Sequence, residues 1–75
     1  MIINRVYEIL KNISKSNDFV CKVRWAPDNK SLVVDINYNK ALRVCVIRNE
    51  IHIQGDINLG NKLKELIEGA LKDGN

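Results

Sequence analysis

The chain has 75 residues and a mass of 8.6 kDa, which suffices for one small domain and leaves no room for a second hydrophobic core. Hydrophobic residues make up 45% of it, yet no apolar run approaches the roughly 18–20 residues of a membrane span, so we expect no membrane partner. The net charge of +3 is only mildly basic, and the chain has none of the dense Lys/Arg clusters that are typical of nucleic-acid-binding proteins.

The first segment is predicted to be a helix. Its apolar residues, from Ile2 to Ile13, recur at spacings of three and four, which places them on one stripe of a helix. The short polar side chains of residues 14–18 compete for backbone hydrogen bonds and should end the helix. The periodic pattern starts at once and holds no small-residue cleavage site, so we expect no secretory signal.

Residues 19–54 change to a period of two, which predicts four strands. We place the strands at residues 19–25, 32–38, 42–47 and 50–54. The connecting turns are residues 27–30, residues 39–41 and residues 48–49. Alternation gives the predicted sheet one apolar face, which includes Phe19, Cys21, Trp25 and Tyr38.

Loop lengths predict the register of the sheet, because residues directly opposite each other in antiparallel strands share a face. The first loop opposes Cys21 to Ile36, the second opposes Ile36 to Val44, and the third opposes Val44 to Ile53. All three loops put apolar residues on the same face. The sequence therefore predicts an antiparallel four-stranded meander.

The apolar stripe from Leu59 to Leu71 predicts a final helix, which either Asp56 or Asn58 can cap. We expect Gly69 to allow close packing and the tail to fray from about residue 72. Both helices need an apolar surface, and the sheet offers one apolar face. The sequence therefore predicts a single α+β domain over residues 1–75, with two layers, the order α-β-β-β-β-α and both helices on one face of the meander.

The other face of the predicted sheet is where chemistry would be carried. The register places Asp35, Cys45 and His52 in one row, and these are residue types of a thiol site or a metal site. The aspartate falls beside the cysteine and not behind the histidine, so it could not orient the imidazole, and an open sheet supplies no pocket. We therefore predict no catalytic residue, no metal and no cofactor.

The two cysteines, Cys21 and Cys45, lack the Cys-x-x-Cys spacing of zinc and redox sites, and two are too few for a disulfide scaffold. Their predicted positions on opposite faces of the sheet exclude a disulfide between them. Free thiols are typical of a reducing compartment, so we expect the protein to be cytoplasmic.

Apolar side chains on this second face indicate a protein partner. Val20, Val33, Cys45 and Ile47 form a predicted patch with charged residues around it, as in many protein-binding surfaces and homodimer seams. We predict a small non-enzymatic protein-binding module, and a homodimer stays open as one form of it. The predicted contact residues are Arg24, Val33, Arg43 and Ile47.

A nucleic-acid partner is the alternative. The helix–strands–helix order resembles that of the double-stranded RNA-binding domain, whose lysine cluster at the last helix is reduced here to Lys62-Leu63-Lys64. That resemblance implies phosphate contacts from the sheet face and from the start of the last helix. The residues of this alternative are Lys22, Arg24, Arg43, Lys62 and Lys64.

A second resemblance covers about the first third of the chain and the element order. The residues that carry it are Met1-Ile2-Ile3-Asn4, Ile9-Leu10-Lys11-Asn12 and Phe19-Val20-Cys21-Lys22-Val23. This opening is similar to that of small phage anti-CRISPR inhibitors, which begin with a short Ile/Asn/Lys helix that leads into a sheet. The resemblance implies a phage or mobile-element protein that inhibits a host defence protein. It carries over no functional residue, and the net charge of +3 differs from that of the acidic inhibitors that mimic DNA.

Overall fold

Two helices flank four strands along the chain. The computed structural model describes residues 2–37 and 40–73. Its elements are α1 (Ile2–Ser16), β1 (Val20–Trp25), β2 (Leu32–Ile36), β3 (Lys40–Ile47), β4 (Glu50–Gln54) and α2 (Ile57–Asp73). The predicted order α-β-β-β-β-α is confirmed. The placements predicted for Tyr38, Asn39 and the tail at residues 74–75 lie outside the described residues.

The strands form one antiparallel sheet in the order β1-β2-β3-β4, which is the predicted meander. Both helices pack on one face of it, α1 against β1 and α2 against β4, and they contact each other. The core between the layers joins Val6 and Leu10 of α1, Leu63 of α2, and Val34 and Val44 of the sheet, all fully buried. Full burial of an aliphatic side chain contributes roughly 1.5–3 kcal/mol, so these two apolar stripes hold the α+β domain together.

β1 contains a bulge that the alternating pattern did not predict. The register shifts between Val20 and Lys22, which makes Cys21 an extra residue without a partner on β2. Val20, and not Cys21, pairs with Ile36, so the predicted pairing of Cys21 is wrong. The predicted exposure of Val20 is wrong as well, because it faces the core with 1% of its surface exposed. The bulge thereby buries both Val20 and Phe19, which strict alternation would place on opposite faces.

The turn between β2 and β3 lies two residues earlier than predicted. Ile36 pairs with Lys40, and Val44 pairs with Leu32, so the predicted pairing of Ile36 with Val44 is wrong. Asn37 enters the turn with φ 52°, a left-handed conformation that asparagine tolerates better than most residues. The partner of Ile36 is four residues earlier on β3 than predicted. Because four is an even number, the apolar face of the sheet is the one predicted.

The other two turns have the predicted register. The first pairs Trp25 with Leu32 across residues 27–30. The third is a two-residue turn at Arg48 and Asn49, whose φ values are 52° and 65°. Two consecutive residues with positive φ are typical of a type I′ turn, whose twist matches that of the strands on either side.

The start of α2 is fixed by a cap and by close packing. The backbone N–H of Leu59 donates to Oδ1 of Asp56 at 2.9 Å, so Asp56, one of the two predicted candidates, is the N-cap. Gly60 is buried, and a Cβ there would lie 3.4 Å from Cγ2 of Ile53 on β4. Gly69 faces open space, so the expectation that it allows close packing is wrong, and Gly60 has that role.

Candidate protein-binding surface

The sheet face opposite the helices is the candidate site, and we call it the open face. Both helices pack on the other side, so in the described part of the chain this face is left to solvent. Strand alternation and the observed register define its residues. They are Lys22 and Arg24 of β1, Val33 and Asp35 of β2, Ala41, Arg43, Cys45 and Ile47 of β3, and Glu50, His52 and Gln54 of β4.

Three of the four predicted contact residues lie side by side. Arg24 is directly opposite Val33, and Val33 is directly opposite Arg43, so the three cross β1, β2 and β3 in a single row. Neighbours in such a row have Cβ atoms about 4.5–5.5 Å apart. The row places an aliphatic side chain between two guanidinium groups. Such a surface can bury apolar area and bind carboxylates at the same time.

Ile47, the fourth predicted contact residue, lies apart from this row. It is four residues beyond Arg43 on β3, or about 13 Å along the strand, and it is opposite Glu50. Its surface is 52% exposed. The predicted register would have put Ile47 opposite Val33, but the observed pairing is shifted by four residues along β3, so Val33 lies opposite Arg43. Val20, a member of the predicted patch, lies in the core and not on the open face.

Arg43 is held in place by the first turn. Its Nε donates to Oγ of Ser31 at 3.0 Å, and its Nη2 lies 3.4 Å from Oδ2 of Asp28. The backbone N–H of Lys30 donates to Asp28 at 2.9 Å, and this bond is the main cause that lowers the pKa of the Asp28 carboxyl. The alternating pattern did not indicate this network. Its signal is an aspartate in the predicted turn, three residues before a serine that directly follows the turn.

Arg24 has a looser partner. Its Nη2 lies 3.9 Å from Oδ1 of Asp35, and both side chains are partly exposed. Surface pairs of this kind contribute about 0–1 kcal/mol. Arg24 can therefore exchange this carboxylate for one on a partner, whereas Arg43 is already positioned by its neighbours.

The basic residues of the nucleic-acid alternative do not come together. Lys62 and Lys64 belong to α2, on the side of the sheet opposite the open face. Nζ of Lys62 lies 4.6 Å from the centroid of the Phe19 ring. Lys64, which is two residues further along and points away from Lys62, lines a groove beside β4 with two glutamates. The residues of this set that lie on the open face are Lys22, Arg24 and Arg43.

Two of the three residues in the predicted row of Asp35, Cys45 and His52 lie opposite each other. Cys45 is opposite His52 as predicted, and its Sγ lies 3.7 Å from the backbone oxygen of His52. Asp35 is opposite Ala41, four residues from Cys45 on β3, so the prediction that it joins the row is wrong. Within residues 2–37 and 40–73, no group of three His, Cys, Asp or Glu side chains could hold a metal ion. Both cysteines are free thiols.

The chain matches no family model, no curated protein and no solved structure. Neither described helix, at 15 and 17 residues, is long and apolar enough to cross the hydrocarbon core of a membrane. The chemistry of the open face is therefore the basis for a functional interpretation.

Proposed function

We propose that the chain is a small, non-enzymatic protein-binding module that docks its open face on another protein. The observation that carries the proposal is the row Arg24–Val33–Arg43, an apolar centre between two guanidinium groups on a sheet face that the helices leave uncovered. Arginine is enriched at protein interfaces, where apolar side chains form the centre and polar groups form the rim. The exposed Ile47 extends this surface along β3.

The proposed partner presents carboxylates around an apolar patch. With His52 counted as neutral, the open face has three cationic side chains and two carboxylates, a net charge of +1. The cationic side chains are Lys22, Arg24 and Arg43, and the carboxylates are Asp35 and Glu50. The net charge of +3 on the whole chain would speed its encounter with such an acidic surface.

Binding is proposed over catalysis because the polar side chains of the open face do not form a reactive set. Asp35 lies opposite Ala41 and does not accompany Cys45. Oε1 of Glu50 is 3.8 Å from Nε2 of His52, which is beyond hydrogen-bond distance, so this carboxylate does not orient the imidazole either.

A nucleic-acid binder is the alternative, with Lys22, Arg24, Arg43, Lys62 and Lys64 as its contacts. One observation favours the protein partner over it. The five residues are divided between the two sides of the sheet. Phosphate binding needs cations that converge on one path.

The inhibitor role is a finer proposal, and it rests on the resemblance of the opening segment to anti-CRISPR proteins. In that case the partner is a host defence protein, and the open face blocks a surface which that protein uses. Identification of the partner tests this role directly.

The test of the open face compares two exposed isoleucines. The immobilised chain captures proteins from a bacterial lysate, and each captured protein is purified and titrated against Ile47→Glu and Ile57→Glu. Ile57 is 78% exposed at the start of α2, away from the open face, so it is a matched control. We expect Ile47→Glu to weaken binding by about 30-fold or more, as for a hot-spot residue, and Ile57→Glu to leave it unchanged. Equal affinities for the two variants would overturn the proposal.

Mass and salt dependence separate the remaining partners. Light scattering of the purified, nuclease-treated chain distinguishes a monomer from a homodimer that covers its own open face. A labelled 20-base-pair duplex tests the alternative, because phosphate contacts make the logarithm of the affinity fall linearly with the logarithm of the salt concentration. We expect a steep salt dependence for the weak duplex binding of a basic chain, and a shallower one for the protein partner, whose contacts include the apolar Val33 and Ile47.

A further inference from the structure

A groove of about 560 Å³ lies at one end of the domain, on the helical side of the sheet. It opens between the first turn of α1, the end of β1 and the turn from β3 to β4. We call it the end groove, and we define it by an apolar floor of Ile2, Trp25 and Val46 and a rim that includes Lys30 and Arg48. The volume lies within the range of about 300–1,000 Å³ that is typical of small-molecule sites.

The charge around the end groove has one sign. Among the described residues Lys30 and Arg48 line it, and none of those that do is acidic. In the described part of the chain neither of them has a carboxylate within 4.0 Å, whereas Arg24, Lys40 and Arg43 each have one. The first turn of α1 also lines the groove, holds no acidic residue and presents backbone N–H groups that lack acceptors within the helix. An anion is therefore the ligand that this rim complements.

The floor of the end groove is aromatic and is held in a fixed position. The ring of Trp25 stacks on that of Tyr7, with centroids 5.4 Å apart and an angle of 29° between the planes. Trp25 is only partly buried by this contact and by the core. An aromatic ring that packs on a second ring gains about 0.5–1.5 kcal/mol beyond its buried area in general.

We propose that the end groove binds a small planar aromatic anion, a ring that carries a carboxylate or a phosphate. The ring would pack on the floor of Trp25, Ile2 and Val46, and the anionic group would lie between Lys30 and Arg48. Asn4, Asn29 and Asn49 also line the groove and can donate hydrogen bonds to the anion. The site is separate from the open face and does not depend on the proposed protein partner.

The test is a titration of the ¹⁵N-labelled full chain, followed by amide chemical shifts, with 2-naphthoate and with 2-naphthyl phosphate as probes. Trp25 is the sole tryptophan, so its indole N–H gives one unambiguous signal. We expect saturable shifts of that signal and of the amides of Lys30 and Arg48, with a dissociation constant on the order of 1 mM for a ligand of this size. The probe that binds with the higher affinity tells whether a carboxylate or a phosphate fits better. The neutral 2-naphthamide should bind about tenfold more weakly.

Matched charge variants complete the test. The double variant Lys30→Gln/Arg48→Gln should weaken binding of the anions about tenfold, because each exposed charge pair contributes about threefold. Lys15→Gln/Lys40→Gln removes the same charge at exposed positions that do not line the groove and should leave binding unchanged. The amide spectrum of each variant verifies that it is folded. Shifts centred elsewhere, equal binding of both double variants, or no saturable shift would each overturn the proposal.

Discussion

The guanidinium of Arg43 donates through Nε to Oγ of Ser31 at 3.0 Å, which ties the middle of β3 to the end of the first turn. Ser31 is a polar residue in a buried position, with 3% of its surface exposed. Its hydroxyl also lies 3.2 and 3.3 Å from the two carboxylate oxygens of Asp28, so it accepts from the arginine and donates to the aspartate. A turn that is distant in sequence thereby positions one of the two arginines of the open face.

The Ser31→Ala variant should lower the free energy of unfolding by about 1 kcal/mol, because Arg43 and Asp28 lose the hydroxyl that bridges them. Urea denaturation measures this change. Ser14→Ala is the control, since the Ser14 hydroxyl bonds only to the Lys11 carbonyl on the exposed side of α1, and we expect a change within about 0.5 kcal/mol. Equal losses in the two variants would show that the bridge does not stabilise the turn.

A pair of valines tests the bulge in β1. Val20→Ala should destabilise the fold by about 1–3 kcal/mol, because it leaves a cavity at a position that is 1% exposed. Val33→Ala, on the open face, should change the unfolding free energy by less than about 0.5 kcal/mol. The comparison is decisive, since strict alternation along the predicted strands 19–25 and 32–38 puts Val20 and Val33 on the same solvent face. Two equally small effects would contradict the observed register.

Two glycines respond in opposite directions to replacement by alanine. Gly55 has φ 133°, and a Cβ there would lie 2.5 Å from Cδ2 of Leu42, so Gly55→Ala should destabilise the fold by about 1–3 kcal/mol. Gly69 has no atom within 4 Å of the added Cβ and lies inside α2. Gly69→Ala should therefore stabilise the fold by about 0.5–1 kcal/mol. Thermal denaturation of the two variants gives the signs, and a stable Gly55→Ala variant would refute the argument.

Acid should unfold the protein in part through Asp56. The backbone N–H of Leu59 donates to its carboxylate and lowers its pKa below the ordinary value of 3.8, and Asp28 is lowered in the same way by Lys30. A depressed folded-state pKa means that the unfolded chain takes up the proton first. The stabilisation is therefore complete above about pH 4 and is lost as the pH falls through the depressed values.

The Asp56→Asn variant isolates this effect. Asparagine caps a helix about as well as aspartate but does not titrate, so stability near neutral pH should change little. As the pH falls below about 4, the variant should lose less unfolding free energy than the original chain. Parallel pH profiles for the two proteins would rule out a contribution of the Asp56 carboxylate.

Periodicity and turn chemistry were sufficient for the element order, the two layers and two of the three turns. The stripe of α1 and the two-residue turn at Arg48 and Asn49 are strong local signals, and both were predicted. The second turn was misplaced by two residues, which changes the pairing on β3 by four residues and leaves every side chain on the same face. An alternating pattern cannot detect such a shift. Asn37, whose residue type favours a left-handed conformation, was the local signal.

The bulge and the neighbours within the candidate site could not be predicted from the sequence, and the reasons are related. Phe19, Val20 and Cys21 are all apolar, so hydrophobicity does not indicate which two of them are buried. The residues of the row Arg24–Val33–Arg43 depend on the second turn, because the position of that turn decides whether Val33 lies opposite Arg43 or Ile47. The residue types of the open face could therefore be predicted from the sequence, whereas their neighbours required the register.

The bulge at Cys21 also limits how copies of this sheet can assemble. β1 and β4 are the two edge strands, and a bulge disrupts the row of backbone groups that an incoming strand would need. β4 has a regular register over its whole length, so it is the edge with which a strand of another copy would pair more readily. Two copies that paired through β4 would form a closed, symmetric pair whose outer edges are both bulged strands. The same feature that buries Val20 thus disfavours the addition of further strands.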